Sequence, residues 1–156
     1  SDFAEKYRMP SIRLDEAAQH VLSNHRWPGN IRQLKNITEQ ISNILSESEV
    51  NKGIVTIFIK HTTASIMIFE DEPGLRKDTK SIWETLIPVN QKWQHNTLNA
   101  GEDNGHSHLR GQIQGQSLTV PFLEKKLTLG TWQQIVVIDF DTRARTREII
   151  MQIVGE

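Results

Sequence analysis

Cysteine is absent from the 156 residues, so disulfides, thiolate metal sites and cysteine nucleophiles are excluded. No apolar run approaches the roughly 18 residues that a helical membrane span needs. Charge of one sign is lacking too: 18 Lys and Arg face 19 Asp and Glu, for a formal net charge of −1. That balance gives no overall pull toward nucleic acid or an anionic membrane. The opening stretch SDFAEKYRMPSIRLDE has none of the apolar character of a secretory signal. Hydrophobic residues make up 37%, and nine glycines bring the apolar share to roughly 43%, a little under the usual globular range. The expectation is a soluble, cytoplasmic, single core-forming unit whose chemistry rests on histidine, carboxylate, hydroxyl and arginine.

The first 48 residues read as helical. Asp15 is a good N-cap before Ala17, Ala18, Val21 and Leu22 at helical spacing, and Pro28-Gly29 make a turn. Asn30 can then cap a second helix from Ile31, whose stripe runs through Leu34, Ile37, Ile41, Ile44 and Leu45. From Gly53 the period changes. Residues 54–60 and 63–69 are rich in β-branched side chains and read as strands, and Glu72-Pro73-Gly74 is a turn before a helix over 75–86. Residues 93–105 are polar and irregular, and Asn104 can cap a short helix to about Gln112. Residues 116–122, 127–140 and 145–154 read as strands.

Four of the six histidines, His61, His95, His106 and His108, fall in this second section, beside Glu102, Asp103 and Asn104. Imidazole and carboxylate together suit Zn²⁺ or a similar ion, and suit general acid–base work equally well. On a helix His106 and His108 lie about 200° apart and cannot share a ligand, so His108 is preferred. His61-Thr62-Thr63-Ala64-Ser65 reads either as a nucleophile or oxyanion turn beside a base, or as hydroxyls satisfying the backbone at a bend. Asp71-Glu72 reads either as an acid/base pair or as a charged turn. Arg143, Arg145 and Arg147 alternate, which on a strand places three guanidinium groups on one face.

These strings carry a resemblance. Residues 37–156 resemble the YjbQ family, small proteins described as secondary thiamine-phosphate synthases, through HTTAS (61–65), DEPG (71–74) with Asp78, His95-Asn96, GEDN (101–104), His108-Leu109, LGTWQ (129–133) and the closing arginine-rich strand. The resemblance implies an α+β fold, a YjbQ-like β-sandwich with flanking helices, assembled as a homotrimer. It implies condensation of a hydroxymethylpyrimidine diphosphate with a thiazole phosphate. His61, His95 and His108 would hold a divalent metal ion, Zn²⁺ or Mg²⁺. His108, Glu102, Asp103 and Asp71 would act as catalytic acids and bases, and Arg145, Arg147, Ser65 and Asn104 would bind the small phosphorylated substrate. The alternative is a metal- or anion-binding homotrimer without turnover. No membrane or nucleic-acid partner is expected.

Residues 3–42 resemble a different family, the C-terminal lid of NtrC-type AAA+ transcription activators, with WPGNIRQL (27–34) as the signature turn and Arg32 as the nucleotide-sensing arginine. No Walker A loop accompanies it. The two resemblances overlap at Asn36 to Ser42, which predicts a chimera: a helical hairpin over 1–36 joined to a YjbQ-like domain over 37–156, in place of that family's first strand.

Overall fold

The computed structural model describes residues 20–27 and 33–156, with side chains from Leu34 onward. Its strands are β1 (His20–Trp27), β2 (Gln33–Asn36), β3 (Lys52–Ile59), β4 (Ala64–Phe69), β5 (Ser117–Leu123), β6 (Lys126–Leu127), β7 (Gln134–Asp139) and β8 (Arg145–Gly155). Its helices are α1 (Thr38–Glu47), α2 (Pro73–Leu86), α3 (Gln94–Leu98) and α4 (Gly105–Gln114). The fold is α+β. A five-stranded antiparallel sheet of order β1-β8-β3-β5-β6 packs on a three-stranded one of order β2-β7-β4. No helix among the described residues is long and apolar enough to cross a membrane.

The expected helical hairpin is not what residues 20–27 and 33–36 form. Residues 20–27 pair antiparallel with β8, His25 opposite Arg147 and Trp27 opposite Arg145. Residues 33–36 pair with β7, so the helix expected from Ile31 starts only at Thr38. Residues 1–19, Pro28-Gly29 and Arg32 lie outside the described residues. The reason is that β8 and β7 would otherwise expose unpaired backbone edges, and an edge that accepts a strand overrides weak local helix propensity. The helical stripe itself is real where the helix is: Ile41 and Leu45 are fully buried, with Ile37 just ahead of them.

Strand phase builds the core. Val55, Ile57 and Ile59 of β3 and Ile149, Met151 and Ile153 of β8 face inward, against Ala64 and Ile66 of β4 and Ile135 and Val137 of β7. The central β7 is buried on both faces, because α2 lays Trp83 and Ile87 over Ile138 and Phe140 on the far side. The Trp83 and Phe140 rings meet edge to face at 5.3 Å and 73°. The long strand expected over 127–140 is interrupted: a loop separates β6 from β7 and carries Trp132 at 71% exposure. The outer face of the five-stranded sheet has exposed apolar side chains at Ile54, Phe58 and Leu123.

Candidate functional site

Three chain segments converge at one end of the sandwich. They are the loop after β3 (His61–Thr63), the end of β7 running into Asp141, and the start of β8. The inward phase of β8 reads Arg145, Arg147, Ile149, Met151, Ile153, and that of β7 reads Ile135, Val137, Asp139. Both inward faces therefore pass from hydrocarbon to charge at the same level. Arg147 of one sheet meets Asp139 of the other in a bidentate pair, Nε to Oδ2 at 2.8 Å and Nη2 to Oδ1 at 2.7 Å. Its Nη2 also donates to Asp141 Oδ2 at 3.2 Å.

Asp141 is the hub of this network. Its carboxylate accepts from Thr63 Oγ1 (3.0 Å), Arg145 Nε (3.2 Å), Asn104 Nδ2 (3.5 Å) and the Thr142 backbone N–H (2.8 Å). Burial pushes the Asp141 carboxyl up, but Thr63, the Arg143 amide, Arg147 and Asn104 together hold it below the ordinary aspartate value.

Above the network lies an open polar cleft of about 900 Å³, lined by His61, Thr62 and Thr63, by His95 and residues 98–100, by Glu102, Asn104 and His108, and by Asp141 and Arg145–Arg147. Two close approaches set its walls. A Cβ on Gly111 would sit 2.4 Å from the Thr62 carbonyl oxygen, so glycine lets α4 lie against the β3–β4 loop. A Cβ on Gly105 would meet Asn96 Oδ1 and Trp93 Cβ, both at 2.8 Å, so glycine also lets α3 dock on the start of α4. That docking brings the His95 and His108 rings to 4.6 Å between centroids, tilted by 48°. His95 Nε2 is buried without a partner among the described residues. Burial lowers the His108 pKa, the neighbouring His95 lowers it further, and Asp141 and Glu102 oppose both.

The predicted site residues divide. Gathered at the cleft are His61, His95, His108, Glu102, Asn104, Arg145 and Arg147. Three others lie elsewhere. Asp71 pairs with Arg76 at the start of α2, while Glu72 beside it caps that helix by accepting from Gly74 and Leu75. DEPG thus serves as a helix start. Ser65 is fully buried and donates to the Gly111 carbonyl at 3.5 Å, under α4 and outside the cleft lining. Asp103 is exposed, accepts from Thr142 Oγ1 at 2.7 Å and lies 3.7 Å from Arg143. Arg143 itself precedes β8 and donates to the Gly101 carbonyl, so it leaves the face shared by Arg145 and Arg147.

The histidines diverge across α4 as helical phase requires, with His106 fully buried on the opposite side from the cleft. The expected three-histidine metal centre is not assembled. His61 Nε2 already accepts the Glu148 backbone N–H at 3.0 Å, which commits that lone pair. Burial, then the Arg147 charge, also lowers the His61 pKa against the pull of Asp139 and Glu148. Among the described residues no three His, Asp or Glu side chains converge as metal ligands. Sequence reasoning missed Asp139 and Asp141. The signal was strand phase, which places Asp139 inward in line with Ile135 and Val137.

Residues 26–156 match the model of the family described as UPF0047 protein YjbQ-like. A UPF0047 protein of Methanothermobacter thermautotrophicus is 36% identical over 124 residues, 80% of this chain and 84% of the relative. One from Archaeoglobus fulgidus is 34% identical, over 77% of this chain and 90% of the relative. The crystal structure of a YbjQ-like protein of unknown function from Sulfolobus solfataricus P2 superposes with a TM-score of 0.78 at 31% identity, over 90% of this chain and all of the other. A hypothetical protein from Aeropyrum pernix K1 gives 0.77 at 27%, over 91% and 100%. Two corrections follow. The family match begins at residue 26, inside the stretch read as an AAA+ lid, and β1 and β2 pair with β8 and β7 of the matched region, so nothing supports the chimera. The thiamine-phosphate synthase reading is also overturned: the family is one of unknown function, and the described residues hold no ligand cluster for the divalent ion expected with it.

Proposed function

Since this chain belongs to the UPF0047 YjbQ-like family, we propose that its cleft receives a small phosphorylated molecule and moves a proton at the His95–His108 pair. The observation that carries this reading is the apposition of two imidazoles on a cleft that also holds a half-exposed guanidinium. Arg145 spends Nε on Asp141 and is 45% exposed, so its remaining donors can reach a phosphate oxygen in a fork. His108, held low by burial, is neutral at pH 7 and able to accept a proton from a ligand hydroxyl or a water. The charge it then gains is met by Asp141 and Glu102. Arg147 is 3% exposed and committed to two aspartates, so it acts as the floor that positions Asp141 rather than as the ligand's grip.

Ring-nitrogen NMR during titration with glycerol phosphate tests this reading. Binding should raise the His108 pKa, because a bound anion favours the imidazolium. Arg145→Ala should weaken binding by roughly tenfold, the worth of one charge-assisted hydrogen bond. Unperturbed His95 and His108 signals, or full affinity in the arginine variant, would overturn it.

The reading includes a homotrimer joined through the outer face of the five-stranded sheet. There Ile54 lies between Pro121 and Val154, Thr56 between Thr119 and Gln152, and Phe58 between Ser117 and Ile150. None of these nine side chains is charged, which is unusual for a face meant for water. Light scattering on the eluting protein should report a trimer, and Phe58→Glu should convert it to monomer with its fold intact. A monomeric parent protein, or an unaffected variant, would remove the trimer from the reading.

A further inference from the structure

A second, partly open pocket lies on the other side of α4, between α2 and the outer face of the three-stranded sheet. It measures about 230 Å³ and shares no lining residue with the cleft. Its walls are Leu34, Ile138, Phe140 and Trp83, with Thr79 and three cations, Arg76, Lys80 and Arg110. Arg110 is the unusual member. It is fully buried, and its Nε and Nη2 are spent on the Ile87 and Trp83 carbonyls and on Glu84, yet Nη1 has no partner among the described residues. An unpartnered donor on a buried guanidinium costs free energy unless an acceptor is supplied. Arg76 is paired with Asp71, whereas Lys80 at the exposed edge has no ionic partner among the described residues.

We propose that this cavity binds a small carboxylate with a flat aromatic body, its ring against the wall made by Trp83, Phe140 and Ile138 and its charge toward Lys80, with the buried Arg110 guanidinium behind that wall. Size agrees: an apolar cavity of about 150 Å³ holds benzene, and the space here is larger by room for a carboxylate. The chemistry agrees as well, since apolar walls with a few convergent polar groups are the general character of small-molecule sites. A bare phosphate would leave the aromatic walls unfilled, and a neutral ring would leave the cations unanswered.

The probe is benzoate, followed through the Trp83 indole signal, with benzyl alcohol and inorganic phosphate as comparisons. Benzoate should saturate the site, and each comparison should bind at least about tenfold more weakly. Arg110 holds the end of α2, so its replacement risks unfolding. The variants are therefore Lys80→Glu, which reverses the charge at the edge, and Thr79→Phe, which occupies the space. The first should weaken benzoate about tenfold and the second should abolish its binding, both with an unchanged circular dichroism spectrum. His108→Ala, in the cleft, should leave benzoate affinity as it was. No saturable benzoate binding, phosphate binding as tight as benzoate, or loss of binding in His108→Ala would each overturn the assignment.

Discussion

Arg147→Met should lower folding stability by about 3–5 kcal/mol, the usual cost of removing one partner from a buried ion pair. The reason is the charge balance at the end of the sandwich. Asp139 and Asp141 are both almost fully buried, and Arg147 is the buried cation that answers them. Methionine leaves two neighbouring carboxylates in a dry site with only the half-exposed Arg145 nearby. With the Arg147 charge gone, burial drives the Asp141 carboxyl upward, and a raised carboxyl pKa favours the fold only where the group is protonated. The loss should therefore be largest at neutral pH and shrink as pH falls toward about 4. Urea unfolding of both proteins at two pH values measures it. Adding Asp139→Asn to Arg147→Met should recover part of the stability at neutral pH. A single variant within about 1 kcal/mol of the parent would show that the network is not a buried ion pair in solution.

Acidification below about pH 6.5 should destabilise the protein well before its carboxylates titrate. Burial is the leading cause that lowers the pKa of His61, of His106 and of His108. Each of the three binds its proton more readily in the unfolded chain. Their contribution is complete above the unfolded value of about 6.5 and is lost as pH falls through that value toward the lower folded one. The slope is at most about 1.4 kcal/mol per pH unit for each imidazole that stays neutral while its unfolded counterpart charges. His106 is the clearest case. Ser107 Oγ donates to the Phe140 carbonyl, so the 3.1 Å contact to that hydroxyl makes His106 Nε2 the donor, which leaves Nδ1 as a buried bare acceptor. A second proton there would stand beside the Arg110 charge. His106→Gln should flatten the pH dependence between 7 and about 5 by roughly one proton's worth. Urea midpoints that do not move across that range in the parent protein would exclude this account. Asp141, held low, adds its own loss only further down, as pH falls through the unfolded aspartate value of about 3.9.

Much of this site was legible because strand and helix phase are local. The α4 helix starts after Asn104 as expected, although that side chain donates to Asp141 and does not cap; the divergent histidines follow from 100° per residue, and the paired inward aim of Arg145 and Arg147 follows from period two. The catalytic-looking strings were harder to read. HTTAS and DEPG offer hydroxyls and carboxylates at suggestive spacing, but Glu72 is taken by the first turn of α2 and Ser65 by the Gly111 carbonyl. Nothing in a short string tells a capping side chain from one left free. Residues 20–27 were misread for a different reason. Their conformation is set by β8, more than a hundred positions away, and no window on HVLSNHRW contains that edge. Asp141 is not legible in sequence because its partners come from three separate segments, around Thr63, Asn104 and residues 142–147.

The charged end of β8 also governs how this strand can evolve. Side chains alternate along it, so inserting or deleting one residue between Arg147 and Ile153 would swap the two faces. Ile150 and Glu148 would be driven inward, while Arg147 would leave its two aspartates unanswered beneath the cleft. A slip that costs only packing can sometimes be absorbed by repacking; one that strands buried carboxylates cannot. Length variation should therefore be confined to the connections, such as the stretch around Trp132, while the spacing from Arg147 to the last core isoleucine stays fixed.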